Sequence, residues 1–136
     1  MTQPIAFEVE LDVPYEAAVN VVSAALKSEG FGILTTIDVK ATLKQKLNED
    51  FRPYVILGAC NPPLAHRALS YEARLGLLLP CNVTIEATDA GGCIARIGDP
   101  EALLKVGDLD QNPIVREIAA EARGRLQRVA HSLEQG

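Results

Sequence analysis

The chain lacks tryptophan, and aromatic residues make up only 4% of its 136 residues. Proteins that bind bases or sugars by stacking need aromatic side chains, so this composition disfavours a stacking platform. A basic surplus is missing as well, because 18 acidic residues against 13 basic ones give a net charge of −5. Affinity for a nucleic-acid backbone comes from basic patches, and we therefore expect no nucleic-acid partner.

Long hydrophobic runs are also absent from the sequence. The longest apolar stretches, residues 54–60 and 76–81, are far shorter than the about 20 residues that cross a bilayer. Residues 1–4 show no basic stretch followed by an apolar one, so no secretion signal is visible. The acidic balance disfavours an anionic membrane surface. We therefore expect a soluble, cytoplasmic protein with no membrane partner.

Cysteine is sparse, and its number, three, is odd. Without a secretion signal, this predicts reduced thiols rather than a disulfide framework. Two of the three cysteines stand in a repeated pattern. The segments Gly58-Ala59-Cys60-Asn61-Pro62-Pro63 and Leu79-Pro80-Cys81-Asn82-Val83 each place a Cys-Asn pair beside proline. The pattern directs the search for a functional site to these two turns.

The length and the 48% hydrophobic content fit one domain with a substantial core. No linker, low-complexity tract or internal repeat divides the chain, so we expect residues 1–136 to form a single domain. Hydrophobic periodicity predicts the order βαβαβαββα. The strands are expected at residues 5–13, 31–37, 54–60, 76–88 and 93–97, and the last helix at about residues 112–134. Asp38 and Asn61 are expected to cap the second and third helices, and Cys93 is expected in the core. The last helix carries one apolar stripe, formed by Ile114, Ile118, Ala122, Leu126, Val129 and Leu133.

These elements predict an α+β fold built as a two-layer sandwich. The sheet is expected to be mixed and five-stranded, with helices mainly on one face, because the outer strands alternate apolar and polar residues. The third strand, residues 54–60, is apolar on both faces and is therefore expected at the centre of the sheet. Its second face also needs cover, which leads us to expect a homodimer.

Much of the chain resembles the bacterial family known as domain of unknown function 302. The most specific matching segments are residues 51–54, Phe-Arg-Pro-Tyr, together with residues 56–65 and 76–83, which hold the two Cys-Asn pairs. Weaker matches at residues 14–19, 30–34 and 37–44 extend the resemblance over most of residues 5–100. The resemblance implies an α+β domain that is often dimeric. It implies no activity, because the family has no accepted activity and no agreed catalytic residues.

The two Cys-Asn pairs are expected to meet if the strands that carry them are neighbours. The helix between them would return the chain for a parallel neighbour, as such crossovers usually do. At about 3.3 Å per residue, Cys60 and Cys81 would then lie at the same height in the sheet.

A small-molecule or metal-binding module is the interpretation that we favour. The ligand would lie near Cys60, Asn61, Cys81 and Asn82, in a cleft at a strand end or a dimer interface. The asparagine amides would orient it by hydrogen bonds. Further candidate ligand-binding residues are Arg52 and Tyr54, which flank a turn. The guanidinium group of Arg52 would suit a carboxylate or a phosphate.

A transition metal is a possible cofactor, because two thiols and one imidazole suit Zn²⁺ or a softer ion. The candidate metal ligands are Cys60, Cys81 and His66. Their spacing matches no standard zinc pattern, and a fourth ligand would have to come from water or a second subunit.

Two other interpretations remain open. The chain could be a thiol-dependent enzyme, with Cys60 as nucleophile at a helix start and His66 as its base. It could instead be a structural or interaction protein without a ligand, in which the cysteines are core residues and the asparagines cap turns. The binding module is favoured because the sequence shows no complete proton-transfer set and no standard catalytic motif.

Overall fold

A computed structural model of the protein describes residues 4–135. Its five strands form one sheet in the order β1-β5-β4-β3-β2. The strands are β1 (Ala6–Leu11), β2 (Gly32–Asp38), β3 (Tyr54–Cys60), β4 (Cys81–Ala87) and β5 (Cys93–Gly98). The helices are α1 (Tyr15–Ser28), α2 (Val39–Leu47), α3 (Pro62–Tyr71), α4 (Pro100–Leu103) and α5 (Pro113–Gln135), with 3-10 helices at Ala73–Leu78 and Val106–Gln111.

The predicted α+β class is confirmed, as is a five-stranded sheet with helices mainly on one face. The fully buried side chains of the sheet lie on the side that α1 and α5 cover. The predicted last helix agrees with α5, Pro113–Gln135, to within one residue at each end. Within residues 4–135, no helix has both the length and the apolar character to span a membrane.

The sequence led us to expect a mixed sheet with β3 at its centre, but the sheet is antiparallel throughout and its central strand is β4, with β3 second from one edge. All four strand pairs are antiparallel, including β3 with β4. The expected crossover fails because α3 does not travel back along the sheet. It packs on the N-terminal half of α5 in a cluster of its own, where Leu64 and Ala68 meet Ile118. The chain therefore re-enters the sheet at the end where β3 left it.

The predicted long strand over residues 76–88 is shorter than expected, because a 3-10 helix occupies Ala73–Leu78. Glu72 starts this turn, since its carboxylate accepts hydrogen bonds from the backbone N–H and the side chain of Arg74. Leu75 is then buried against the α3–α5 cluster. Burial of this leucine favours the turn over an extended strand.

One aspartate cap and one asparagine cap fix the helices on either side of β3. The Asp38 carboxylate accepts from the Ala41 N–H at 2.9 Å and begins α2. The Asn61 side chain accepts from the Leu64 N–H at 3.2 Å and begins α3, with Pro62 in its first turn. Both caps were predicted from the sequence.

The main core lies between the covered face of the sheet and the helices α1 and α5. Alternate residues of β1, β3, β4 and β5 point into it, as the period of two requires, whereas β2 at the sheet edge contributes only the half-buried Ile33. The largest fully buried side chains of residues 4–135 belong to this core, except for Val115, which belongs to the α3–α5 cluster. They are Phe31, Leu26, Leu57, Ile85, Ile97, Leu126, Val22, Val83, Val115, Val129 and Cys93.

A testable consequence concerns Gly58, which lies in β3 on the uncovered face of the sheet. A Cβ atom here would lie 2.7 Å from Cγ of Pro80 and would collide with the Thr35 hydroxyl. Gly58→Ala should therefore lower the free energy of unfolding by about 1–3 kcal/mol, measured by urea denaturation.

Gly32→Ala is the matched control, because a Cβ at this strand position meets nothing within 4 Å. We expect its stability to change little or to rise slightly, since alanine restricts the unfolded chain. Equal effects of the two substitutions would contradict the packing of Pro80 over Gly58.

Candidate functional site

A cavity of about 570 Å³ lies beside the end of the sheet where β3 stops and β4 starts. Antiparallel pairing sets Ala59 opposite Cys81 and Gly58 opposite Asn82. The two Cys-Asn pairs are therefore neighbours, and all four of their residues line this cavity. They meet because β3 and β4 run in opposite directions, and not through the parallel arrangement that the sequence suggested.

The walls of the cavity are aliphatic. They come from α3, the 3-10 helix Ala73–Leu78, α4 and the N-terminal half of α5. Among the residues of 4–135 that line the cavity, none is charged and only Phe31 is aromatic. Beside the two Cys-Asn pairs, the lining comprises Phe31, Leu34, Ala59, Leu64, Ala65, Ala68, Leu69, Leu75, Leu77, Leu78, Leu79, Pro80, Gly98, Pro100, Leu103, Leu104, Val115, Ile118, Ala119 and Ala122.

The two asparagines have different roles. Asn61 is buried and holds the start of α3, as described, while its amide nitrogen lies 3.5 Å from the Glu29 carbonyl oxygen. Asn82 is exposed, and its side chain makes no hydrogen bond with any residue of 4–135. The Asn82 amide is therefore the group of this pair that can donate to or accept from a ligand.

The thiols of Cys60 and Cys81 are both half-buried, and neither forms a disulfide. Strand alternation turns Cys81 toward the helical layer with Val83, and turns Cys60 toward the other side of the sheet. Burial raises the pKa of the Cys81 thiol to about 11, and the nearby Cys60 thiol adds to the shift. Cys81 is thus neutral near pH 7 and is a poor nucleophile there.

Cys93 belongs to the main core, as predicted. It is 2% exposed, and its thiol donates to the Val13 carbonyl oxygen at 3.4 Å. Burial raises its pKa, with a smaller contribution from the charge of Glu16.

His66 does not join the thiols. It is exposed on α3, while the residues of this helix that line the cavity are Leu64, Ala65, Ala68 and Leu69. At 3.6 residues per turn, position 66 falls on the opposite side of the helix. Across residues 4–135, no three His, Cys, Asp or Glu side chains are grouped to hold a metal ion. The structure therefore assembles neither the candidate metal set Cys60, Cys81 and His66 nor a Cys60–His66 pair.

Arg52 and Tyr54 lie away from the cavity. Tyr54 is the first residue of β3, about 20 Å along the strand from Cys60. Arg52 stacks on the Phe51 ring at 4.6 Å and donates to the carboxylate of Glu86. The six expected ligand-binding residues are thus divided into four at the cavity and two at the far end of the sheet.

Glu86 is the centre of an ion-pair network on the uncovered face of the sheet. It accepts from Arg96 and Arg52, and Arg96 also donates to Glu8. Hydrogen bonds from Arg96 and then Arg52 hold the pKa of the Glu86 carboxyl below its usual value. Arg52 therefore already has a carboxylate partner within the chain.

Sequence reasoning missed the aliphatic walls. Residues 76–79 were assigned to a strand, and Ile118 and Ala122 were assigned to one continuous core stripe of the last helix. The available signal was the run of six leucines between positions 64 and 79, which is an unusually apolar segment for a helix end and a turn.

The fold and the site define a class of protein: an α+β domain with one covered sheet face and an aliphatic cavity at a sheet end. The family model described as "Domain of unknown function DUF302" matches residues 7–133. The chain therefore belongs to the DUF302 family, as the Cys-Asn segments indicated.

A solved structure shows the same fold. The crystal structure of an uncharacterized conserved DUF302 protein from Bacillus stearothermophilus superposes with a TM-score of 0.83 at 28% sequence identity. The similarity covers 95% of this chain and 98% of that one. Among curated proteins, no significant match to this sequence was found.

The raised pKa of Cys81 predicts a specific pH profile of alkylation. An ordinary thiol with a pKa of 9.0 is half ionised at pH 9, whereas Cys81, with a pKa of about 11, is about 1% ionised there. Its reaction with iodoacetamide, followed by mass spectrometry, should be slow at pH 7. It should still rise about tenfold per pH unit between pH 8 and 10.

Urea-unfolded protein is the control, because all three thiols should then react with ordinary profiles. Cys60→Ser should leave the pKa of Cys81 raised, since burial is the main cause of its shift. Rapid labelling of Cys81 in the folded protein at pH 7 would contradict this assignment.

Proposed function

We propose that this protein is a small-molecule-binding module whose site is the aliphatic cavity beside the two Cys-Asn pairs. One observation supports the proposal: residues 59–61 and 79–82 line one cavity of about 570 Å³. Small-molecule sites occupy about 300–1,000 Å³ and combine mostly apolar walls with a few polar groups. This cavity has that composition, with Asn82 and two thiols as its available polar groups.

The small residues in the walls support the proposal. Alanines from α3 (Ala65 and Ala68) and from α5 (Ala119 and Ala122) line the cavity. Protein interiors are otherwise close-packed, with few spaces larger than a water molecule. Alanine at four wall positions leaves width for a bound apolar molecule.

A thiol-dependent enzyme has less support. Cys81 is neutral at pH 7, and His66, the expected base for Cys60, lies outside the cavity. A purely structural role accounts for Asn61, which caps α3, but not for Asn82, whose amide has no partner among residues 4–135. Binding is therefore the function that the geometry supports best.

We further propose that the protein is a cytoplasmic homodimer joined through the uncovered face of the sheet. The half of this face on β2 and β3 is largely apolar: it includes Ile37, which is 47% exposed, Ile56 and Gly58, with the Thr35 hydroxyl as a polar group beside them. The half on β1 and β5 carries the Glu8–Arg96 ion pair. Two copies related by a twofold axis can bury the apolar halves against each other. Three free cysteines support a reducing compartment.

The binding proposal is tested with N-phenyl-1-naphthylamine, an uncharged fluorophore that brightens in apolar sites. We expect the wild-type protein to bind it saturably. Ala119→Phe should weaken binding about tenfold or more, which corresponds to about 1.4 kcal/mol, because the ring would occupy the cavity. Fluorescence titration measures both affinities.

Ala120→Phe is the matched control, because Ala120 is the next residue of α5 and is exposed. It should bind like the wild type. Since Ala119 is 4% exposed and its replacement could disturb folding, Ala65→Phe at a half-buried wall position serves as a second blocking variant. Unchanged binding in folded forms of both blocking variants would refute the cavity as the site.

The dimer is tested by sedimentation equilibrium at micromolar concentration. Wild type should sediment as a dimer, and Ile37→Lys should shift it toward monomer, because a charge would be placed in the apolar half of the interface. Val21→Lys, on the exposed side of α1, should have no effect. A wild-type protein that stays monomeric would rule out the dimer.

A further inference from the structure

We infer that the cavity takes an uncharged ligand with a linear aliphatic chain and a hydrogen-bonding head group. The chain lies along the walls formed by α3 and α5, and the head group lies at the open edge of the cavity beside the exposed Asn82. The inference rests on the proposed function and specifies its ligand class.

The absence of charge from the lining decides the charge of the ligand. Among the lining residues within 4–135 there is no Lys, Arg, His, Asp or Glu. A carboxylate or ammonium group placed inside would lose its hydration without gaining an ion partner. The nearby Arg125 is already engaged, because it donates to the Glu29 carbonyl oxygen at 3.2 Å and pairs with Glu121 at 3.3 Å.

The shape of the ligand follows from the wall chemistry. Most of the lining residues within 4–135 are leucines and alanines, and the one aromatic residue among them, Phe31, is 2% exposed. An aromatic ligand would find almost no ring surface for stacking. A flexible alkyl chain, in contrast, can follow walls of this kind and gains free energy with every methylene group that it buries.

The mouth of the cavity favours the same class. Four leucines that line it are also exposed: Leu34 at 66%, Leu69 at 43%, Leu77 at 87% and Leu103 at 38%. Exposed apolar side chains grouped around a cavity mark a binding surface. They provide an apolar path by which an alkyl chain can leave water.

The polar groups at the sheet end suit a neutral head group. The Asn82 amide, which is exposed and lies on the opposite side of β4 from Cys81, can both donate and accept. A hydroxyl, or the carbonyl of an ester or amide, matches this side chain. A phosphate does not, because no cation lines the cavity within residues 4–135.

The test measures displacement of N-phenyl-1-naphthylamine from the full chain by 1-octanol, 1-decanol and 1-dodecanol. The affinity of the alcohols should rise about fourfold for each added methylene group. Decanoate and decylamine should bind at least about tenfold more weakly than 1-decanol, because their charges find no partner. Asn82→Ala should weaken 1-decanol about fivefold, whereas Ala120→Phe, outside the cavity, should leave the affinity for 1-decanol unchanged.

Each other outcome has a defined meaning. If the fluorophore binds but decanoate matches 1-decanol, the neutral ligand class is wrong, and Arg125→Gln then shows whether Arg125 holds the acid. If affinity does not depend on chain length, the alkyl assignment is wrong. If fluorophore binding falls as dimers form, a second copy of the chain occupies the cavity, and the inference fails. If neither fluorophore nor alcohols bind, the proposed function fails with it.

Discussion

Backbone pairing between β3 and β4 is the constraint on which the rest of the site depends. Its register places Ala59 opposite Cys81, and this single alignment joins two distant segments of the chain at one end of the sheet. The same alignment places Leu57 opposite Val83 in the core. A shift by one residue would expose the core side chains of β4, so the core fixes the register and thereby the site.

The two apolar clusters have different roles in the fold. The main core fills the space between the sheet and the helices α1 and α5, and its strand residues are nearly inaccessible. The smaller cluster of α3, the following 3-10 helix and the start of α5 lies beyond the sheet end and includes several alanines. The first cluster supplies rigidity, and the second leaves room beside it. A cavity on a rigid support suits ligand binding.

Local chemistry made much of the fold predictable. Alternation located the strands, and Asp38 and Asn61 showed where helices start, because these effects act over a few residues. Strand direction between β3 and β4 was not predictable, since it depends on α3 packing against α5, some 50 residues later in the chain. The sequence pointed to the four Cys-Asn residues that line the cavity, whereas its aliphatic walls depend on the packing of α3 against α5 and could not be predicted locally. His66 does not reach the thiols, because Leu64 and Ala68 pack into the α3–α5 cluster and turn His66 toward the exposed side of α3.

The length of α5 has a consequence for how the family can diversify. This helix of 23 residues extends about 35 Å and serves the cavity with its first turns and the main core with its last. Substitutions near Ala119 can therefore reshape the cavity while Leu126 and Val129 keep the sheet covered. Relatives can share one scaffold and differ in the shape of this cavity, because the cavity and the main core are lined by separate stretches of the same helix.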